Sequence, residues 1–352
     1  MQINRAALDE AASQGLISAE QGQALWGFLA ARESDTPSFK PAHILYYLGG
    51  LIAIGAMTLF MTLGWERFGG GGLLIIACGY ALACLALTEV LLKRPHLALP
   101  AGITATLAVV MVPLAVYGAQ HLLGHWPDTA TKGFAYRDYH THIDWRWLLM
   151  ELATLAAGAV ALWRYRLPFL MLPVAVTLWY MSMDLVPFLL LGDSTSFFSD
   201  EGKRISTAFG LAMLVVAFWV DVRNRRPQDF AFWLYVFGAL TFWGGLTSMN
   251  SNSELGKFIY CCINLLMLAV GAGLSRRVFA VFGGLGVAIY LGHLSYKVFK
   301  DSMLFPVALT ALGLAVIGVG IWWQRHEATI GTRLRGLLPA QVRALVEHRA
   351  QF

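Results

Sequence analysis

Ten apolar stretches follow one another along the chain, each about as long as the roughly 20 residues an α-helix needs to cross a bilayer. They cover about 43–65, 72–92, 99–121, 146–163, 167–191, 204–220, 229–249, 257–275, 278–298 and 302–323. Hydrocarbon offers a peptide group no hydrogen-bond partner, so such a stretch must close its own backbone as a helix or join a sealed barrel. A barrel would be written in short alternating segments, and these stretches are continuous. Composition agrees, with 57% apolar and only 13% charged residues and a mean hydropathy of +0.60, outside the range of soluble globular chains. The expected fold is all-α, a polytopic transmembrane helix bundle of about ten spans over residues 43–323.

The connectors fix an orientation. Short basic segments such as "LLKRPHL", "WRYRLP", "DVRNRRPQD" and "LSRRVF" recur at every second loop, and together with the two ends they hold 17 of the 26 Lys and Arg. Basic residues near span ends stay on the cytoplasmic side, so both termini are expected there. The opposite loops hold most of the acidic loop residues, among them Asp193, Asp200 and Glu201. The first 40 residues are polar and contain no apolar core of a cleavable signal peptide, which leaves the first span to direct insertion. The formal charge of +5 belongs with the bilayer and its anionic headgroups, not with nucleic acid. Cys78, Cys84, Cys261 and Cys262 all fall inside spans, where they form no metal pattern and no external disulfide framework.

Two extensions flank the bundle. Residues 1–42 hold "LDEAASQGLISAEQGQALWGFLAAR", which reads as a cytoplasmic helical hairpin: Gly15 ends one helix, and Ser18 with Gln21 makes the capping box of the next. Leu25, Phe28 and Leu29 share one face of that helix, suited to packing on the bundle, to self-association or to docking a protein partner. The linker "ESDTPSFKPA" holds two prolines that discourage helix continuation. Residues 324–352 carry Arg325, Arg333, Arg335, Arg343 and Arg349 among interrupted apolar positions, an amphipathic tail suited to a membrane surface.

"GLISAEQ", followed after the linker by "YYLGGLIAIGAMTLFMTLGWE", resembles the bacterial membrane-protein family catalogued as domain of unknown function 2157. About the first 90 residues carry the resemblance. It implies a polytopic protein of the bacterial inner membrane with no assigned activity, and it transfers no site residue.

Charges inside spans are costly, by a few kcal/mol at least on insertion scales. "WLLMELATLAAG" places Glu151 six residues from Trp145, and "WYMSMDLVPF" places Asp184 seven residues from Leu191. At about 1.5 Å per residue both acids are expected roughly 9–10 Å deep, on consecutive and therefore neighbouring spans. Two such carboxylates can share a proton, bind a cation, or each be neutralised by a base elsewhere, for which His293 and Lys297 in "YLGHLSYK" are candidates. Pro187, close to Asp184, frees a backbone carbonyl of the kind that lines cavities. Glu89 is expected to pair with Lys93 one turn on, Asp221 to reach the interface beside Arg223, and Asn264 to hydrogen-bond across helices.

The longest loop, "HLLGHWPDTATKGFAYRDYHTHIDWRW", contains four of the nine histidines. His121 and His125 share a face if the helix continues, and His140, His142 and Asp144 alternate nearby. These are zinc or copper ligand types, although no complete metal motif is present. "FGGGG" lacks the Lys-Ser/Thr of a phosphate loop and reads as a flexible turn. Glycines in "LGGLIAIGA", "FGALTFWGG" and "FGGLGVAIYLG" permit close helix packing. No cofactor is implied and no catalytic constellation stands out.

Two functions fit these residues. One is a proton- or cation-linked transporter or permease for an ion or small polar solute, with Glu151 and Asp184 as the binding carboxylates and His293 as a relay. The other is a membrane scaffold or regulatory protein that docks partners through its hairpin and tail.

Overall fold

A computed structural model describes residues 8, 11–33, 41–64, 68–94, 97–126, 145–189, 200–224, 228–249, 251, 253–274 and 276–299, with isolated positions between 307 and 318. Among them every regular element is helical. In chain order these are α1 (Ala19–Glu33), α2 (Pro41–Gly64), α3 (Gly69–Leu92), α4 (Ala98–Val110), α5 (Val112–Leu122), α6 (Trp145–Tyr165), α7 (Met171–Leu189), α8 (Asp200–Arg223), α9 (Phe232–Ser248), α10 (Glu254–Leu274) and α11 (Arg277–Phe299). Six helical stretches are long and apolar enough to cross a membrane: α3, α4 with α5, α6, α8, α10 and α11 up to Leu294. The chain is a multi-pass membrane protein on that ground. The stretch 302–323, apart from isolated positions, and the tail 324–352 lie outside the described residues, as does the linker 34–40.

The helix ends follow local chemistry. Ser18 and Gln21 form the expected reciprocal box, Ser18 N–H donating to Gln21 Oε1 at 2.9 Å and Gln21 N–H to Ser18 Oγ at 3.1 Å. Before it, Gly15 at φ +71° closes the preceding turn, with Gly15 N–H reaching the Ala12 carbonyl and Leu16 N–H the Ala11 carbonyl, the double bond of a Schellman cap. The span 98–122 is interrupted at Met111, whose N–H is shared between the Leu107 and Ala108 carbonyls at 3.3 Å each. Pro113 follows and has no N–H to continue the ladder.

Short connections force neighbours to run antiparallel, and small residues set how closely they approach. A Cβ at Gly70 of α3 would lie 2.7 Å from the Gly118 carbonyl oxygen of α5, and one at Gly118 would lie 2.8 Å from that of Gly70. "FGGGG" is therefore not a flexible turn: Gly69, at φ +61°, opens α3, and Gly70 is buried where two backbones touch. The glycine-rich spans behave in the same way at selected positions. Gly210 of α8 sits against the Phe242 backbone of α9, and Gly286 of α11 lies on the Asn264 side chain of α10. That side chain is fully buried, accepts from Trp243 Nε1 at 3.1 Å and donates to the Tyr260 carbonyl at 2.8 Å, the cross-helix role expected of it. The largest core joins α7 to α11 around Met171, Leu214, Leu234, Tyr235, Met267 and Phe279.

Arg166 ends α6 in an unusual way. Its φ of 56° is the one positive value at a non-glycine among the described residues, and its N–H reaches the Leu162 carbonyl at 3.0 Å. This is the left-handed cap that glycine normally fills. A Cβ there costs about 1–2 kcal/mol, partly offset by the entropy glycine would add to the unfolded chain. Arg166→Gly is expected to gain up to about 1 kcal/mol in thermal unfolding of the detergent-solubilised protein. A clear loss instead would show that the arginine side chain holds this connection together.

Candidate functional site

Glu151 is buried, 7% exposed, on α6, and both its carboxylate oxygens are shielded from solvent. One turn toward the end of the span lies an ordered polar cap. Trp126 Nε1 donates to Gln120 Oε1 at 3.0 Å, Gln120 Nε2 donates to the Arg146 carbonyl at 3.2 Å, and the Arg146 guanidinium lies 5.1 Å from the centre of the Trp126 ring. Tyr117 and Trp147 pack edgewise on Trp126. Met150, the neighbour of Glu151 in sequence, and Trp147, one turn before it, belong to the apolar cluster that also holds Leu73, Ala77, Leu114, Tyr117 and Trp126.

The helix bearing Asp184 is the direct neighbour of this one, because Gly158 of α6 accepts Val174 of α7, where a Cβ would meet Val174 Cγ2 at 2.7 Å. Counting along antiparallel helices from that contact, Glu151 is seven residues away and Asp184 ten. The backbone at Asp184 therefore lies about 4–5 Å further along. The side chain of Asp184 falls outside the described residues. His293 belongs to a different group: its Nε2 is 4.0 Å from Glu254, which is also held by Lys297 at 2.6 Å and Lys257 at 3.1 Å.

Of the histidines, His121 sits in the last turn of α5 with its ring 6.0 Å from that of Tyr117. The helix does not continue to His125. Gly124, at φ +72°, reverses the chain, with His125 N–H returning to the Gln120 carbonyl, so the expected shared face is absent and His125 packs on Trp145 instead. His140, His142 and Asp144 fall outside the described residues. Among those described, no three His, Cys, Asp or Glu side chains cluster as a metal site.

The strongest polar cluster is one the sequence did not single out. It lies at the face of the bundle made by the basic connections. Asp221, 3% exposed at the end of α8, accepts both Arg276 Nη2 contacts at 2.9 Å and the Tyr235 hydroxyl at 3.1 Å. Asp229 engages the same guanidinium through Nη1 and, at 3.1 Å, through Nη2. It also accepts the Ala231 N–H just before α9. The Arg276 guanidinium lies 4.8 Å from the centre of the Tyr235 ring. Burial opposes its charge, but Asp229 and Asp221 more than offset this and hold its pKa above the ordinary arginine range. One cation in the α10–α11 connection thereby fastens the end of α8 to the beginning of α9. Asp221 does not reach the interface beside Arg223, as the sequence suggests; Arg223 instead stacks on Trp219 at 4.4 Å. Glu89 likewise takes Arg164 of α6 as its partner, at 3.0 Å. The available signal was two acids, Asp221 and Asp229, in loops otherwise selected for basic residues.

No family model, curated protein or solved structure matches the chain.

Proposed function

We propose that the chain is a ten-span protein of the bacterial inner membrane, its basic face and both termini cytoplasmic, that carries a proton or small cation, alone or with a small polar solute. The observation that supports this reading is Glu151, a carboxylate buried within a 21-residue apolar helix. An acid in that setting is costly whether it is ionised or protonated, and a proton or cation that binds and leaves gives it a use. Asp184, on the adjoining helix, is the second carboxylate of the path, and His293 with Glu254 lies toward the same non-cytoplasmic face as the Glu151 end of α6. The likeness of the N-terminal lead and first span to the domain of unknown function 2157 family belongs to this proposal and assigns no substrate.

The test is flux in liposomes containing the purified protein, driven by a pH gradient and repeated over a panel of monovalent and divalent cations. Wild type is expected to conduct, and Glu151→Gln and Asp184→Asn are each expected to lower the flux at least tenfold while melting within a few degrees of wild type. Absence of flux in wild type, or full flux in both variants, would overturn the transport reading.

A second reading, a scaffold that docks a partner or a second copy, draws on the hairpin, where Leu16 and Leu25 are exposed to solvent. It predicts that deletion of residues 1–33 abolishes function, with the acid substitutions altering stability alone.

A further inference from the structure

A cleft of about 440 Å³ opens at the basic face between the ends of α6 and α8 and the start of α7. Its walls are apolar or aromatic, with Leu162, Met171 and Phe230 at the base and two tryptophans at the rim. Trp163 is 77% exposed and Trp219 54% exposed. Arg166 and Arg223 line the same cleft. Among the described residues, neither guanidinium meets a carboxylate, whereas Arg164, two positions before Arg166, is tied to Glu89.

We propose that this cleft is a binding site for one anionic phospholipid, with its phosphate between Arg166 and Arg223 and an acyl chain along Trp163, Leu162 and Trp219. Three observations converge on a lipid. The cleft is mouthed by two cations with no acid in its lining, which is complementary to a phosphate. Apart from Asn224, its remaining lining is apolar or aromatic and includes exposed indoles, the side chains that favour the headgroup level of a bilayer. The Trp219 ring fixes the Arg223 guanidinium by stacking, and this orders a donor for phosphate oxygens without consuming its hydrogen bonds.

The backbone supplies the fourth argument. Arg166 occupies a left-handed position that glycine would fill with less strain. Strain of this kind persists where a side chain is used, and the use available here is the mouth of the cleft. The site stands independently of the transport reading, since it lies at the face opposite the Glu151 end of α6.

Arg166→Gly provides the decisive variant, because it removes the guanidinium while relaxing the backbone; its melting temperature, measured alongside and expected to be no lower than that of wild type, separates lost binding from lost fold. Native mass spectrometry of the protein in mild detergent, titrated separately with phosphatidylglycerol and phosphatidylcholine, reads lipid occupancy. Wild type is expected to retain one phosphatidylglycerol with at least fivefold preference over phosphatidylcholine. Arg166→Gly and Arg223→Gln should each abolish that preference, and Arg164→Gln, which removes a neighbouring charge outside the cleft, should keep it. Equal retention of the two lipids by wild type, or an undiminished preference in the Arg166→Gly/Arg223→Gln double variant, would overturn the proposal. Displacement of the lipid by millimolar inorganic phosphate would also overturn it, because the occupant would then be a free anion.

Discussion

Arg276→Met is expected to destabilise the protein by about 3–5 kcal/mol, the usual cost of stranding a buried charge. The substitution leaves Asp221, whose side chain is 4% exposed, without its cation, whereas Asp229 at 39% retains contact with water. Most of the loss should therefore trace to Asp221. Asp221→Leu in the Arg276→Met background removes the stranded acid and is expected to recover a large part of the stability, since an apolar replacement of a buried ion pair is often close to neutral. The Tyr235 hydroxyl loses its acceptor in that double variant and limits the recovery. Unfolding in mixed micelles, arranged as a double-mutant cycle, measures the coupling. Additive losses would show that the guanidinium and Asp221 do not act as a unit.

Gly210→Leu carries the second large expected effect. The position faces the backbone of Phe242 on α9, together with the Thr241 carbonyl carbon at 2.8 Å, and a main chain cannot swing aside as a side chain can. The helices must separate, which forfeits packing along the whole α8–α9 seam, where Gly238 and Gly245 also sit against α8. Overpacking of this kind costs about 1–3 kcal/mol and occasionally more, and the upper end is expected here. Gly244→Ala is the matched control on α9: a Cβ there meets nothing within 4 Å, so the change should be neutral or slightly stabilising through helix propensity. Equal losses at the two positions would mean that glycine contributes through flexibility and not through close approach.

Where the helices lie was legible for most of the bundle, because a membrane span is a one-dimensional property: apolar length decides it, and residues 69–92 or 145–165 need no knowledge of their neighbours, whereas the break at Met111 within 98–122 was not foreseen and 302–323 lies mostly outside the described residues. Caps were legible for the same reason, Ser18 with Gln21 being a contact over three residues. What escaped was whatever depends on rotation and on distant partners. Asp221 lies two residues from Arg223 in sequence and pairs with Arg276, 55 residues away; sequence proximity supplied the wrong cation. Glu89 follows the same pattern with Arg164. His121 and His125 have helical spacing, and only the reversal at Gly124 shows that the helix has ended between them. Gly70 illustrates the converse, since a glycine run has the composition of a turn until another backbone is found against it. For the candidate site, the presence of Glu151 inside a span was readable, and its burial was not, because an apolar stretch reads the same whichever way its single acid points.

The α10–α11 pair is fastened at three heights. Glu254 bonds Lys297 at one end, Asn264 fills the recess left by Gly283 and Gly286 in the middle, and Gly271 admits Ala280 at the other end. Contacts at three heights resist shear and splay more than one would, although the exposed Glu254–Lys297 pair is the weakest of them. The Arg276 tie to Asp221 and Asp229 sits at one end of the pair, and Glu254 at the other. Hydrogen bonds from Trp243 to Asn264 and between Thr247 and Tyr260 also tie the pair to α9, so a rearrangement that swings it has to break these together with the Arg276 contacts, across the ring pairs Tyr235–Phe279 and Trp243–Phe282.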